Sequence, residues 1–525
     1  MEKRALIAVV LSILVFYGYA ALFPAKRVEG PAAPVSTTQE QAKPSTSAVS
    51  APAAGSAAPT ATGARREITV DSPAYTAVFS TQGGNLVRLV LKKYHEAADL
   101  HSKNVTLVDD SAQGTVATVA PWAGFDRGTS FSPSTDTLSV GAGEAKELVF
   151  TGAAPGGVTI RKTYRFQGGD YGIGLEYTVA NGGAGRVAGP LQTVLNYQLA
   201  TDVKESRFET HGPVLFAQDK LIVEKAKDLT AQARSYSAPL WSGFADKYFL
   251  SALVAKEGSM ATASVKALQP GKYEELVSSP EIALNPGESR AVAYRLYFGP
   301  KDLDILKGQG GSLERAIDLG WFAVLAKPLL HALKFFYHYV GNYGVAIIII
   351  TVILKILFYP LTHSSYKSMK QMQKLQPKMQ ELREKYKNDR EAMNRAIMEL
   401  YQTHKVNPVG GCLPMIVQIP VFFALYKALM FSIELRHAPF FLWIQDLAAK
   451  DPYYVTPIIM GVTMVVQQKM TPSQMDPVQQ KMMMALPVVF TFMFLNFPSG
   501  LVLYWLVNNV LTITQQYYIN KSINA

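Results

Sequence analysis

One cysteine, Cys412, in 525 residues leaves no partner for an internal disulfide and excludes a multi-cysteine metal site. Charge is also scarce. Asp, Glu, Lys and Arg make up 17% of the chain against 49% hydrophobic residues, a balance that suits a protein lying partly in lipid. The sequence has no phosphate-binding glycine loop, no nucleophile paired with a base and no clustered metal ligands. Neither an enzyme nor a bound cofactor is expected. The long apolar runs of the C-terminal half also lack Asp and Glu altogether, yet one of them, IIIITVILKILFYPL at Ile347–Leu361, carries Lys355 in its middle. A lysine at the centre of a spanning helix costs about 2.5–3.5 kcal/mol on insertion scales. With no carboxylate in any of these runs to pair with it, the cation needs another reason to be there.

The chain divides by texture. Lys3 and Arg4 precede an apolar run from Ala5 to Phe23, long enough to span as a helix. Residues 1–27 are expected to be an uncleaved membrane anchor; the alternative is a leader cut after GYA at Gly18–Ala20. Residues 28–64, rich in Ala, Pro, Ser and Thr, cannot form a core and read as a flexible tether. From 65 to 300, short alternating runs such as KELVFTG and RAVAYRLYFG are punctuated by Gly, Asn and Asp, which implies an antiparallel β-sandwich. His95, His101 and His211 are isolated within it and read as ordinary histidines. In Trp321–Val340, Lys327, His331, Lys334 and His338 share one narrow face, which predicts an amphipathic helix at the membrane surface over 321–340.

Five apolar segments follow, at Tyr343–Leu361, Leu413–Phe431, Tyr453–Val466, Met482–Phe497 and Leu501–Ile513. The loop between the first two is strongly basic, from Lys367 to Lys405, whereas the next balances Arg436 and Lys450 against Glu434, Asp446 and Asp451. By the positive-inside rule the first loop is cytoplasmic and the second is outside. Both termini are then cytoplasmic and residues 28–340 are exported. The fold class expected is a polytopic α-helical membrane protein of six spans, five of them forming a core over 343–516, with an exported β-sandwich. A helical hairpin over 364–405, turning near Asn388–Asp389, and a short cytoplasmic tail at 517–525 complete it.

Polar residues in the apolar segments line up. Thr351 lies one turn before Lys355 on the same face, and Thr362 falls near it. Trp505, Asn508, Thr512 and Gln515 share a side of the last segment, with Tyr504 at its edge. Thr456, Thr463 and Gln467 align in the third, and Gln418 sits between Pro414 and Pro420 in the second. Each alone supports interhelical hydrogen bonding worth under about 1 kcal/mol. Together with an unpaired Lys355 they point to a wet cavity that handles something polar or anionic without covalent chemistry.

Several stretches are more specific: FYPLT, LQPKMQELREKY, KVNPVGGCLPMIVQIPVFFALYKAL, ELRHAPFFLWIQDLAAKDPYYVTPIIMGVTM, QQKMMMALPVVFTFMFLNFPSGLVLYW and NNVLTITQQ. Over about Gly344–Gln516 these resemble the YidC membrane protein insertases of Gram-negative bacteria. The resemblance implies a hydrophilic groove, open to the cytoplasm and to lipid, in which a single cation meets incoming chains. That cation is usually arginine in the family, and the matching position here is Lys355. The family's groove positions map onto Thr351, Gln418, Gln468, Tyr504 and Trp505; whether Gln467 or Gln468 faces the groove stays open.

The expected function is insertion and chaperoning of nascent membrane proteins in a bacterial inner membrane. The expected partners are the lipid bilayer, the Sec translocon and, through the cytoplasmic loop, the ribosome and signal recognition factors, with no direct nucleic-acid contact. The chain stops at YYINKSINA, without the long basic tail through which some relatives bind ribosomes. The alternative is a small-solute or anion transporter using Lys355. Because every polar intramembrane feature lies after Gly344, the exported domain is expected to be dispensable for insertion.

Overall fold

The computed structural model describes residues 65–99, 101–110, 114–198, 211–225, 228–229, 232–256, 258–404, 406, 413–471 and 477–524. The expected anchor at 1–27, the tether at 28–64, Lys405 and Cys412 lie outside these residues.

The first half is β structure in three sheets. The period-2 pattern predicted from sequence is visible in the strands: Glu67–Asp71 alternates exposed and buried side chains, and Gly172–Asn181 alternates half-buried and buried ones nearly throughout. The nine-stranded sheet has Phe249–Ala255, Ser289–Pro300, Gly172–Asn181 and Val158–Gln167 side by side at its centre, all antiparallel. A five-stranded sheet is built on Lys272–Leu284 paired with Val187–Gln198. Another is built on Tyr75–Ser80 and Asn85–His95, and takes its one parallel neighbour, Thr137–Ser139, beside Glu67–Asp71. Their inward faces share one apolar core, with Phe79, Phe150, Tyr164, Phe166, Tyr177, Trp241 and Tyr294 buried in it.

Strand Ser289–Pro300 runs straight into helix α1 (Leu303–Gln309), whose first turn is capped by Asp302: its Oδ1 accepts from the amides of Asp304 and Ile305 at 2.8 and 3.0 Å. Helix α2 (Ala323–Val340) follows. The charged stripe expected to face solvent along this helix does so only in part. Lys327, His331 and His338 are exposed, but Lys334 turns inward to three carboxylates, because a neighbouring loop brings Glu434 to it. Ala326, Leu330 and Leu333 form the buried face of α2. Opposite them Trp321, Val324, Leu325, Phe335 and Tyr339 are exposed, an apolar and aromatic strip suited to a membrane surface.

The second half is helical: α3 (Tyr343–Leu357), α4 (Tyr359–Lys374), α5 (Gln376–Lys385), α6 (Arg390–Thr403), α7 (Leu413–Phe431), α8 (Val455–Met470), α9 (Pro477–Phe494) and α10 (Ser499–Asn524). Helix α10 packs on α3, α4, α7 and α8, while α9 packs on α8. It continues through the stretch read as a separate tail, to Asn524. Among the described residues no single helix is long and apolar enough to cross a membrane; α3 and α4 pass that test together, bent by 59°. Pro360 accounts for the bend, since it has no N–H for the preceding turn. Helices α5 and α6 form a hairpin, with Tyr401 Oη donating to Met379 Sδ at 3.3 Å and Asp389 capping α6.

Candidate functional site: a cleft around Lys355

Helix α3 starts at Asn342, whose side chain caps it by accepting from the Val345 amide at 3.1 Å, and carries Lys355 in its last turn. Just beyond, the chain bends into α4. Beside the bend lies a narrow cleft between α3, α4, α7 and α10, open to solvent. Thr351, Lys355, Thr362, Gln418, Tyr504 and Asn508 give it polarity, and Leu354, Phe358, Leu361 and Val421 form its apolar walls.

Lys355 Nζ donates to Thr512 Oγ1 at 2.7 Å. The Thr512 hydroxyl proton is committed to the Asn508 carbonyl at 2.6 Å, so an oxygen lone pair faces the ammonium. Asn508 Oδ1 in turn accepts from Gln418 Nε2 at 2.8 Å, tying α7 to α10. Gln515 Nε2 donates to the Lys355 carbonyl at 3.2 Å, beside the proline break. Among the described residues no carboxylate lies within 4 Å of Lys355, so one neutral hydroxyl holds the cation. Thr351 and Thr362 spend their own protons on the Ile347 and Phe358 carbonyls, at 2.7 and 3.0 Å.

The structure separates the sequence-derived candidates. Thr351, Lys355, Gln418, Tyr504, Asn508 and Thr512 come together, with Thr512 behind the ammonium. Trp505 is placed otherwise, in an aromatic wall against Phe422, Phe494 and Phe490, with ring centroids at 4.7, 5.1 and 6.1 Å. Gln467 and Gln468, near the end of α8, do not line the cleft. Thr456 is tied by its amide and hydroxyl to Asp451, at the far end of α8. Asn509 and Gln516, unmarked by the sequence pattern, join α10 to α8 through Thr463 Oγ1 and the Met470 carbonyl at 3.2 and 2.6 Å. Their pairing with α8 depends on which helix packs behind α10.

Toward the β sheets the cleft ends on an apolar core of Ile347, Ile350, Leu425, Leu429, Leu501, Val502 and Phe494. Apart from Phe494 at the end of α9, each precedes the polar residues of α3 or α10, or follows Gln418 on α7, so the core lies on one side of the cleft.

Two family models divide the chain almost where the structure does. The YidC periplasmic domain matches residues 67–332, and the 60Kd inner membrane protein matches residues 335–525. A membrane protein insertase YidC of Geobacter metallireducens is 71% identical over 100% of this chain and 99% of its own; that of Geobacter sulfurreducens is 69% identical with the same coverage. The chain belongs to the YidC insertase family. The β sheets are therefore the YidC periplasmic domain, and the helical half is the part matched to an inner membrane protein. Insertion, the role for which the YidC relatives are named, asks for no covalent catalysis. An active YidC insertase crystal structure with its first transmembrane domain resolved is 18% identical and covers 99% of this chain and 100% of that one, with a TM-score of 0.38, a likeness too low to carry detail across.

Proposed function

We propose that the cleft around Lys355 is where this insertase receives its client. The observation that carries the reading is a cation in an apolar bundle held, among the described residues, by the Thr512 hydroxyl alone, facing a cleft with no carboxylate in its lining. An ammonium so placed keeps N–H donors for a polar or acidic segment, and replaces part of the hydration that segment loses. The polar cleft lies toward the α5–α6 hairpin and the apolar core lies toward the β sheets, which suits a groove open to the cytoplasm and closed outside. A client helix then leaves along α7 and α9, whose Ile416, Ile419, Val488, Val489 and Phe492 are exposed.

In this reading the core spans are the bent α3–α4 pair, α7, α8, α9 and α10, with residues 1–27 as the sixth. Short helices such as α8 are accommodated by tilt or by a locally thinned bilayer. Both termini are cytoplasmic and residues 28–340 periplasmic. The sheets form a sandwich, and α2 lies on the outer leaflet. The basic hairpin meets the ribosome or targeting factors, and the Sec translocon is a partner. Trp505, packed against Phe422 of α7 and Phe490 and Phe494 of α9, borders that exit path.

The test is insertion of an acidic-tailed client into vesicles. Lys355→Arg should be nearly silent, since charge and approximate reach are kept. Lys355→Ala and Lys355→Glu should slow insertion, less so for short uncharged tails. Equal rates for the parent and Lys355→Ala would leave the lysine a structural residue.

A further inference from the structure

Helix α7 is held very differently at its two ends. Near the cleft, Gln418 gives one neutral hydrogen bond to Asn508, and Pro420 two residues on removes a backbone bond. Ile416 and Ile419 on this end are about half exposed. At the outer end the chain leaves Phe431 and within five residues presents Glu434 and Arg436, each gripped by a different part of the molecule.

Glu434 Oε1 lies 2.8 Å from Lys334 Nζ on α2. The same ammonium reaches Asp302 Oδ2 at 3.0 Å and Asp304 Oδ2 at 2.7 Å, at the cap of α1. The ammonium thus meets three carboxylates, hydrogen-bonded to Asp302 and Asp304 and ion-paired with Glu434, with Lys334, Asp302 and Glu434 all largely buried. Burial opposes the charge, but Glu434, Asp304 and Asp302 outweigh it and hold the Lys334 pKa above its ordinary value. Arg436 Nη2 donates to the His95 carbonyl at 2.6 Å, at the end of strand Asn85–His95, and its guanidinium sits 5.8 and 5.5 Å from the rings of Tyr248 and Phe249. Ahead of these grips along α7 and just past its end, Ala424, Ala428, Phe431 and Ile433 belong to the same apolar core as the β sheets, and Phe423 stacks on Phe322 at 5.5 Å.

We infer that Lys334 and Arg436 are positioning residues for insertion: they fix the outer end of α7 to the periplasmic domain and so set where Gln418 stands in the cleft. Charge-assisted bonds in a partly buried setting hold their geometry, and loss of one partner leaves the others repelling or unpaired. With the outer end anchored, the helix carries that orientation to its more weakly held end, where among the described residues Gln418 is bonded by neutral groups, Asn508 and Tyr504 of α10. The inference rests on the cleft being the client site.

The experiment uses the full chain in lipid nanodiscs, with Cys412 replaced by Ser and spin labels on Ile419→Cys and Val510→Cys, exposed positions of α7 and α10. The parent should give one narrow distance distribution. Lys334→Ala, Arg436→Ala and the isosteric Glu434→Gln should broaden it, and insertion should fall roughly three- to thirtyfold, the range that positioning networks of this kind display. Lys334→Arg, whose fork still reaches the carboxylates, should restore both. Glu434→Gln keeps the test informative if an alanine variant fails to fold. A distribution identical to the parent's in every folded variant overturns the inference. Broadening with unchanged insertion overturns the positioning role. Failure of the client site itself would show separately, as equal insertion by the parent and Lys355→Ala.

Discussion

At the scale of single residues, the cleft separates charge from position. Lys355 supplies the charge, whereas Thr512 supplies only a lone pair aimed at it. Thr512→Val keeps the shape and removes the acceptor. A buried bond from a charged donor is worth about 1.5–3 kcal/mol, so this variant should leave Lys355 mobile and lower insertion of acidic-tailed clients by less than Lys355→Ala does. Rates for the two variants on one client give the ordering, and a larger loss from Thr512→Val would refute it. A second residue titrates far from the cleft. Glu275 is fully buried between strands, bonded to Ser242 Oγ, and burial pushes its pKa up to about 8. A carboxyl raised from an ordinary value near 4.5 contributes stability that is fully present below pH ~4.5 and lost as pH rises through about 8. At about 1.4 kcal/mol per pH unit the loss reaches at most roughly 5 kcal/mol. Glu275→Gln should flatten this part of the stability profile in denaturant titrations of the full chain between pH 5 and 8; an unchanged slope would show that Glu275 ionises freely.

At the scale of elements, α8 and α9 meet where a side chain is missing. A Cβ on Gly461 would lie 2.0 Å from Thr491 Oγ1, whose hydroxyl donates back to the Pro487 carbonyl at 2.7 Å. Gly461→Ala should therefore part the helices and destabilise by about 1–3 kcal/mol, as overpacking does. Thr491→Ala in the same chain should recover most of that loss, and thermal unfolding in detergent measures both. The α5–α6 hairpin behaves as a separate small element, closed by Met379, Tyr401 and the Asp389 cap. Removing Glu381–Arg395 should slow client capture while leaving the bundle's melting temperature near that of the parent. Unchanged insertion rates would count against a role for the hairpin in capture.

For the whole molecule, the expectation of a dispensable exported domain meets a shared core. Deleting residues 65–300 keeps Asp302, Asp304 and Lys334 but strips Arg436 of His95, Tyr248 and Phe249, and uncovers Ala424, Ala428 and Phe431. Insertion should fall several-fold without vanishing, as the Lys334 grip survives. Full activity of a folded deletion variant would show that α7 needs only that grip. Complete loss would show that the β sheets hold more than the end of one helix.

How much of this was legible beforehand follows from the range of the interactions. Strand alternation, the apolar segments and a lysine with no acid in its own segment are local patterns of period and composition, and the sequence by itself determined them; the bend at FYPL, inside a stretch read as one segment, was not among them. The placing of Thr351, Lys355, Asn508 and Thr512 on facing helix sides was readable for the same reason, because helical spacing is set by the backbone. The partners of those faces were not readable. Trp505 belongs by spacing to the polar stripe, yet it went to the aromatic wall once Phe422, Phe490 and Phe494 closed around it. Lys334 looked like one more exposed cation of an amphipathic helix, and only the fold brought Asp302, Asp304 and Glu434 to it from two distant stretches. Side-chain periodicity is a property of one segment. Which carboxylate compensates a buried charge, and which helix is fixed at which end, depends on contacts between segments far apart in the chain, and only the tertiary structure decided those.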